Sequence, residues 1–167
     1  SSATVATEFY QPLKLDETMF ISTYYQYFRG PLSLWFEDEN IAEYVYNKSS
    51  IGLDFGSVVS NSAELRIGPV FHDYSGSREV GLVELPNFSN YDYGVRFNLF
   101  YDNLDTYFFP RNGMSINAYG YYALGVGNQM ENYGIYGLVY RQAIPIGQDS
   151  LVFKFKARNT YNEPPLF

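Results

Sequence analysis

Three residues near the middle of the chain, His72, Asp73 and Ser75, are the group whose types and spacing come closest to hydrolytic chemistry. Serine hydrolases need a nucleophile, a histidine base and an acid that orients the base. Adjacent residues of a strand point to opposite faces, which separates His72 from Asp73, and the chain contains no GxSxG nucleophile motif. We therefore predict that the chain is not an enzyme; a hydrolase that uses His72 is the least favoured alternative.

The composition argues against metal sites and against nucleic-acid binding. The chain has no cysteine and one histidine, so a thiolate zinc site is excluded and we expect no metal or other cofactor. Its net charge of -7 opposes the phosphate backbone of DNA or RNA, whose recognition depends on clustered lysine and arginine. We therefore expect no nucleic-acid partner.

The charged residues lie in segments where apolar and polar side chains alternate, which is typical of β-strands. Eight segments show this alternation, and no segment has the periodicity of a helix. The predicted strands run from Thr4 to Leu13, from Met19 to about Arg29, around Ile51, Leu53 and Phe55, and then over residues 63–72, 95–102, 116–124, 136–141 and 151–158.

Within these segments the charged and the apolar side chains take opposite faces. We predict an outward apolar face that includes Leu65, Ile67, Phe97, Leu99, Phe153 and Phe155. The predicted inward charges are Glu8, Asp54, Glu64, Arg66, Arg96, Asp102, Arg141, Lys154, Lys156 and Arg158. Their mixed signs favour a network of ion pairs, because a charge in a confined interior must be paired or hydrated. A selectivity lining for a conducting pore is the alternative.

The predicted connections alternate in length, which indicates a membrane β-barrel. Turns at Lys14–Glu17, Asn61–Ser62, Tyr107–Gly113 and Gly147–Ser150 are short, whereas the connections near Trp35, Tyr74 and Gly127 are longer. Outer-membrane barrels sort short and long connections to opposite ends in this way. We predict an all-β fold, an antiparallel up-and-down transmembrane β-barrel of eight strands that forms one domain over residues 1–167. A secreted, tyrosine-rich β-sandwich is the alternative.

One turn carries a family resemblance. Residues 101–105 read Tyr-Asp-Asn-Leu-Asp and residues 109–113 read Phe-Pro-Arg-Asn-Gly. This pair of motifs resembles the periplasmic turn in the barrel of the bacterial surface antigen superfamily, which includes the outer-membrane barrel-assembly insertases. The motif residues are Asp102, Asn103, Leu104, Asp105, Phe109, Pro110 and Gly113. The resemblance implies the outer membrane of a Gram-negative bacterium.

Three further segments, residues 8–13, 41–44 and 62–68, look like the barrel of patatin-like outer-membrane phospholipases. That resemblance implies that the chain is about half of a sixteen-stranded barrel, its fourth to eleventh strands, and that residues 162–167 begin the family's long sixth loop. It implies a module that anchors a patatin-like lipase domain and helps to export it in a parent protein. An outer-membrane insertase or secretion pore is the alternative, although the Arg-bearing motif of that loop is absent from the chain.

Half of a barrel has two open edges, and an unpaired strand edge cannot persist in hydrocarbon. We predict that the chain closes on itself as an eight-stranded monomer, in preference to an edge-to-edge homodimer. The expected partners are outer-membrane lipids, lipopolysaccharide and, during folding, the barrel-assembly machinery.

Overall fold

The computed structural model describes residues 2–13, 18–36, 38–81, 86–127 and 132–162, and their regular elements are strands. The eight strands are β1 (Ala3–Pro12), β2 (Met19–Phe36), β3 (Glu39–Ser60), β4 (Ala63–Gly81), β5 (Phe88–Asp102), β6 (Gly113–Val126), β7 (Gly134–Ile146) and β8 (Asp149–Tyr161). No helix among these residues is long and apolar enough to cross a membrane. The predicted turn at Lys14–Glu17 lies outside the described residues.

The strands form one sheet in which each strand pairs antiparallel with its neighbours in sequence. The up-and-down order confirms the predicted all-β class and the count of eight strands. Connections β3–β4, β5–β6 and β7–β8 lie at one end of the sheet, hereafter the turn end. Connections β2–β3, β4–β5 and β6–β7 lie at the other, hereafter the loop end.

The predicted self-closure is not seen. Within the described residues β1 pairs only with β2, and β8 pairs only with β7, so the sheet is open at both edges. The reason lies on the concave face, where aromatic rings lie on the backbone and guanidinium groups lie over the rings. The interior of an eight-stranded barrel is just wide enough for single side chains to fill. A ring with a guanidinium group stacked on it is thicker than a single side chain and needs a wider interior.

The strands near the loop end are longer than predicted. β2 and β3 have 18 and 22 residues and pair almost to the tip of their hairpin, whereas the sequence pattern predicts a longer connection near Trp35. Likewise β4 continues past Tyr74 to Gly81. Trp35, near the tip of the β2–β3 hairpin, is 65% exposed. The alternation of short and long connections therefore appears as long hairpins rather than as long loops.

The two faces of the sheet differ as the sequence pattern predicts. Along β4, Ile67, Pro69 and Phe71 are exposed on the convex face, whereas Gly68 and Val70 are buried on the concave face. Exposed convex residues elsewhere include Ile51, Phe55, Phe97, Leu124, Phe153 and Phe155. The convex face is therefore a continuous apolar surface.

Glycines on the concave face let aromatic rings lie flat on the neighbouring strand. Tyr24 pairs with Gly52 and Phe20 pairs with Gly56 across the β2–β3 ladder. A Cβ atom at Gly52 would lie 2.3 Å from the Tyr24 ring, and one at Gly56 would lie 2.0 Å from the Phe20 ring. Such cross-strand pairs of an aromatic residue and a glycine fix strand register.

Candidate functional site

The concave face of β1–β5 holds charged side chains that pair with one another. The Arg66 guanidinium donates to the Glu8 carboxylate, with 2.6 Å between Nη1 and Oε1, and also to Glu64. It lies 5.1 Å from the centre of the Phe20 ring. Because Glu8 belongs to β1 and Arg66 to β4, this pair spans two intervening strands and ties the edge strand to the sheet.

A second ion pair lies deeper. The Asp54 carboxylate is fully buried and accepts two hydrogen bonds from Arg96, one from Nε at 2.8 Å and one from Nη2. The guanidinium lies 3.7 Å above the Tyr24 ring. A buried carboxylate needs such a partner, because removing a lone charge from water costs several kcal/mol.

A cluster of hydroxyl groups surrounds Asp92 towards the loop end. The Asp92 carboxylate is buried, and Tyr121 and Tyr133 donate to its two oxygens, Tyr133 at 2.8 Å. Burial, together with the carboxylate, raises the pKa of the Tyr133 hydroxyl, which therefore stays protonated as a donor. Two charge-assisted hydrogen bonds of this kind hold β5, β6 and the β6–β7 connection together.

His72 lies beside this cluster, and its partner is Ser50 rather than Ser75. The His72 Nδ1 atom is 2.7 Å from the Ser50 hydroxyl, and the ring packs edge-on against Tyr121 at 5.3 Å. Ser50, His72 and Asp92 occupy paired positions on three adjacent strands. Both Asp92 oxygens accept hydrogen bonds from tyrosines, and among the described residues the hydrogen-bond partner of His72 is Ser50 rather than Asp92.

Four of these residues, Ser50, His72, Arg96 and Tyr121, line a hollow of about 510 Å³ on the concave face. Its wall combines aromatic rings, amides and cations and includes Tyr24, Gln26, Lys48, His72, Asn98 and Tyr119. The hollow is open along one side, as expected of the interior of a curved sheet. Its lining mixes polar groups with aromatic and aliphatic side chains.

The β5–β6 turn is organised by the motif residues that the sequence singled out. The Asp102 carboxylate accepts from the Leu104 backbone N–H at 2.9 Å, and the Asn103 side chain accepts from the Met114 N–H at 2.7 Å. Pro110 is fully buried, and Gly113 has a φ of 103°. A side chain at Gly113 would be strained and would meet the Asn103 carbonyl.

Asp105 closes the same turn. Its carboxylate accepts from the Arg111 backbone N–H at 2.9 Å and from the Thr106 N–H at 2.8 Å. The hydrogen bond from Arg111 is the main cause that lowers the pKa of Asp105 below its usual value. Phe109, the remaining motif residue, is 88% exposed at the tip.

Arg141 on β7 braces the turn from the side. Its guanidinium donates to the Tyr107 carbonyl at 2.7 Å, and the Ser150 hydroxyl donates to the Pro110 carbonyl at 3.0 Å. Three other predicted inward charges lie on β8. Lys154 is directly opposite Arg141 across the β7–β8 ladder, and Lys156 and Arg158 follow at alternate positions of the strand. The structure therefore places these four cations together, apart from the ion pairs of β1–β5.

The sequence pattern did not single out Ser50, Asp92, Tyr121 or Tyr133. Asp92 lies four residues before Arg96 and so shares its face, which is the one signal available in the sequence. Its two tyrosine donors are 29 and 41 residues away, and only the strand register brings them together.

Comparison with known proteins identifies the fold. No protein-family model matches the chain, and no curated protein sequence matches it. Among solved structures, BamA from Haemophilus ducreyi lacking POTRA domains 1-3 is similar over 95% of this chain, with a TM-score of 0.75 and 16% sequence identity. The match covers 33% of that chain, so this chain spans about a third of its length.

Proposed function

We propose that the chain is a membrane-spanning sector of a bacterial outer-membrane β-barrel that anchors a patatin-like lipase domain and helps to export it. Its partners in this role are outer-membrane lipids and lipopolysaccharide on the convex face, and the barrel-assembly machinery during folding. The fold shared with part of BamA supports the barrel role. The sequence resemblance to patatin-like outer-membrane phospholipases supports the lipase passenger.

The convex face carries the proposal. In β5 the convex residues from Tyr93 to Tyr101 are apolar or aromatic, and their span of eight residues is about 27 Å along the strand. A tilted strand of this length crosses the apolar band of about 25 Å of an outer-membrane barrel to within a few ångström. The charges of the same strand lie on the concave face, where Arg96 bonds Asp54.

The two open edges fit this role when further strands pair with them. In hydrocarbon each unpaired backbone group costs several kcal/mol, so β1 and β8 need strand partners in the membrane. We propose that these partners lie outside this chain, in a parent barrel or a second copy. The mass of the protein component in detergent distinguishes a second copy, which doubles the mass of the chain.

Cysteine labelling tests the membrane role, because the chain has no cysteine of its own. Phe97→Cys on the convex face should react in vesicles with a lipid-soluble maleimide and resist a water-soluble one. Asn98→Cys, the matched control on the concave face, should show the reverse preference. Equal labelling of both by the water-soluble reagent would exclude a lipid-facing convex surface.

The likeness to BamA favours a second candidate, an outer-membrane insertase or secretion pore. The surface antigen superfamily, which the β5–β6 turn resembles, includes such insertases. Insertion of an unrelated barrel protein into vesicles that contain the purified protein measures this activity. No acceleration over empty vesicles leaves the anchoring role as the better account.

A further inference from the structure

Four of the eleven lysines and arginines of the chain lie together on the concave face of β7 and β8. They are Arg141, Lys154, Lys156 and Arg158, hereafter the basic stripe. Arg66 and Arg96 have carboxylate partners, but no carboxylate of the described residues forms an ion pair with a member of the stripe. Although the chain as a whole is acidic, the concave face of β7 and β8 therefore carries a local excess of positive charge.

The stripe has a regular spacing. Lys154, Lys156 and Arg158 occupy alternate positions of β8, so their Cα atoms extend over about 14 Å along the strand. All three are exposed. An extended peptide repeats its side chains on one face with the same spacing, so carboxylates at every second residue would lie opposite the cations.

The arrangement is unfavourable without an anion. Arg141 and Lys154 are directly paired across the β7–β8 ladder, and like charges at such positions destabilise a sheet. A bound anion would relieve this repulsion.

We propose that the basic stripe binds an extended acidic polypeptide segment with carboxylates at alternate positions. The even spacing over about 14 Å favours a polypeptide over a single phosphate group, which reaches one or two cations. The stripe begins beside the β5–β6 turn, so the segment lies along β8 from the turn end upward. This partner goes beyond membrane anchoring and does not depend on it.

Fluorescence anisotropy in detergent tests the proposal, and because the assay needs no bilayer, its failure is distinguishable from failure of the membrane role. The probe is an eight-residue peptide in which glutamate and threonine alternate, carrying a neutral fluorophore. It is compared with a peptide of equal charge in which four glutamates precede four threonines. The alternating peptide should bind about tenfold more tightly. Lys154→Gln/Lys156→Gln/Arg158→Gln should weaken it by about tenfold or more, because three ion pairs are lost.

The matched control is Arg29→Gln/Lys48→Gln/Arg78→Gln, which removes the same charge from β2, β3 and β4 and should change binding less than about twofold. Equal weakening by both triple variants, or equal binding of both peptides, would overturn the proposal. Displacement by inorganic pyrophosphate at the concentrations at which the peptide binds would show a small-anion site instead. Lys156→Glu should gain affinity for a peptide with one central lysine, which supports the spacing independently of the triple variant.

Discussion

Gly52→Ala should destabilise the protein more than a surface methyl group normally does, because the added Cβ would enter the Tyr24 ring. It would lie 2.3 Å from Cε1 and 2.6 Å from Cζ, against about 3.5–4.0 Å for an ordinary carbon contact. The ring must move by more than about 1 Å to restore that separation. Arg96 lies over the ring at 3.7 Å, and Asp54 holds Arg96 in place.

The Tyr24 ring and the Arg96 guanidinium above it set the size of the expected loss of stability. Overpacking of a filled site costs about 1–3 kcal/mol, and a cation–π contact contributes about 0.5–2 kcal/mol. Together they give an expected loss of about 1.5–5 kcal/mol in the free energy of unfolding. Gly120→Ala is the matched control, because its nearest neighbour, the Ile135 carbonyl, is 3.9 Å away. We expect it to be neutral, or to stabilise by about 0.5 kcal/mol.

Urea unfolding from lipid vesicles, followed by circular dichroism and gel mobility, measures both variants. A third protein, Gly52→Ala in a Tyr24→Ala background, isolates the contact, because its extra cost should disappear when the ring is absent. An unchanged cost in that background, or equal effects at Gly52 and Gly120, would refute the packing argument.

Three further substitutions that add or remove a charge have predictable effects on stability. Phe97→Arg, near the middle of the convex apolar span, should cost about 2–4 kcal/mol in a lipid refolding titration, whereas Asn98→Arg should cost less; equal costs contradict the face assignment. Asp54→Asn should lose about 3 kcal/mol in urea unfolding because Arg96 is left unpaired, and Asp54→Ala/Arg96→Met should recover part of it; no recovery argues against the pair. Asp105→Asn should destabilise the turn at pH 7. Because the folded pKa of Asp105 is lowered, its contribution is present above its usual value of 3.8 and is lost as the pH falls through the lowered pKa. The difference in unfolding free energy between this variant and the parent should therefore shrink below about pH 4, and a constant difference argues against the carboxylate.

The faces and the number of the strands could be predicted because alternation is a local property. From Ala63 to Phe71 in β4 and from Tyr91 to Tyr101 in β5 every second residue is apolar or aromatic, and the charges of Arg66 and Arg96 fall on the other face. The strand ends near the loop end could not be predicted in this way. Around Lys48, Ser49 and Ser50 both faces are polar, yet the backbone ladder with β2 continues.

The site was predictable only where it is local. Pro110 and Gly113 mark the β5–β6 turn by their backbone chemistry, and the structure places both in it. The pairing of His72 with Ser50 depends on the β3–β4 register, which no short segment encodes. Self-closure was predicted mainly from the cost of open strand edges, and that argument neglected the stacking of guanidinium groups on the concave rings.

Trp35 determines the tryptophan fluorescence of this protein. It is the only tryptophan in the chain, and it is exposed near the tip of the β2–β3 hairpin, far from the apolar span of the sheet. Its emission therefore reports water at that tip, and the usual blue shift on membrane insertion should be weak. The same position makes it an intrinsic orientation marker: iodide added outside sealed vesicles should quench it only when the loop end faces outward.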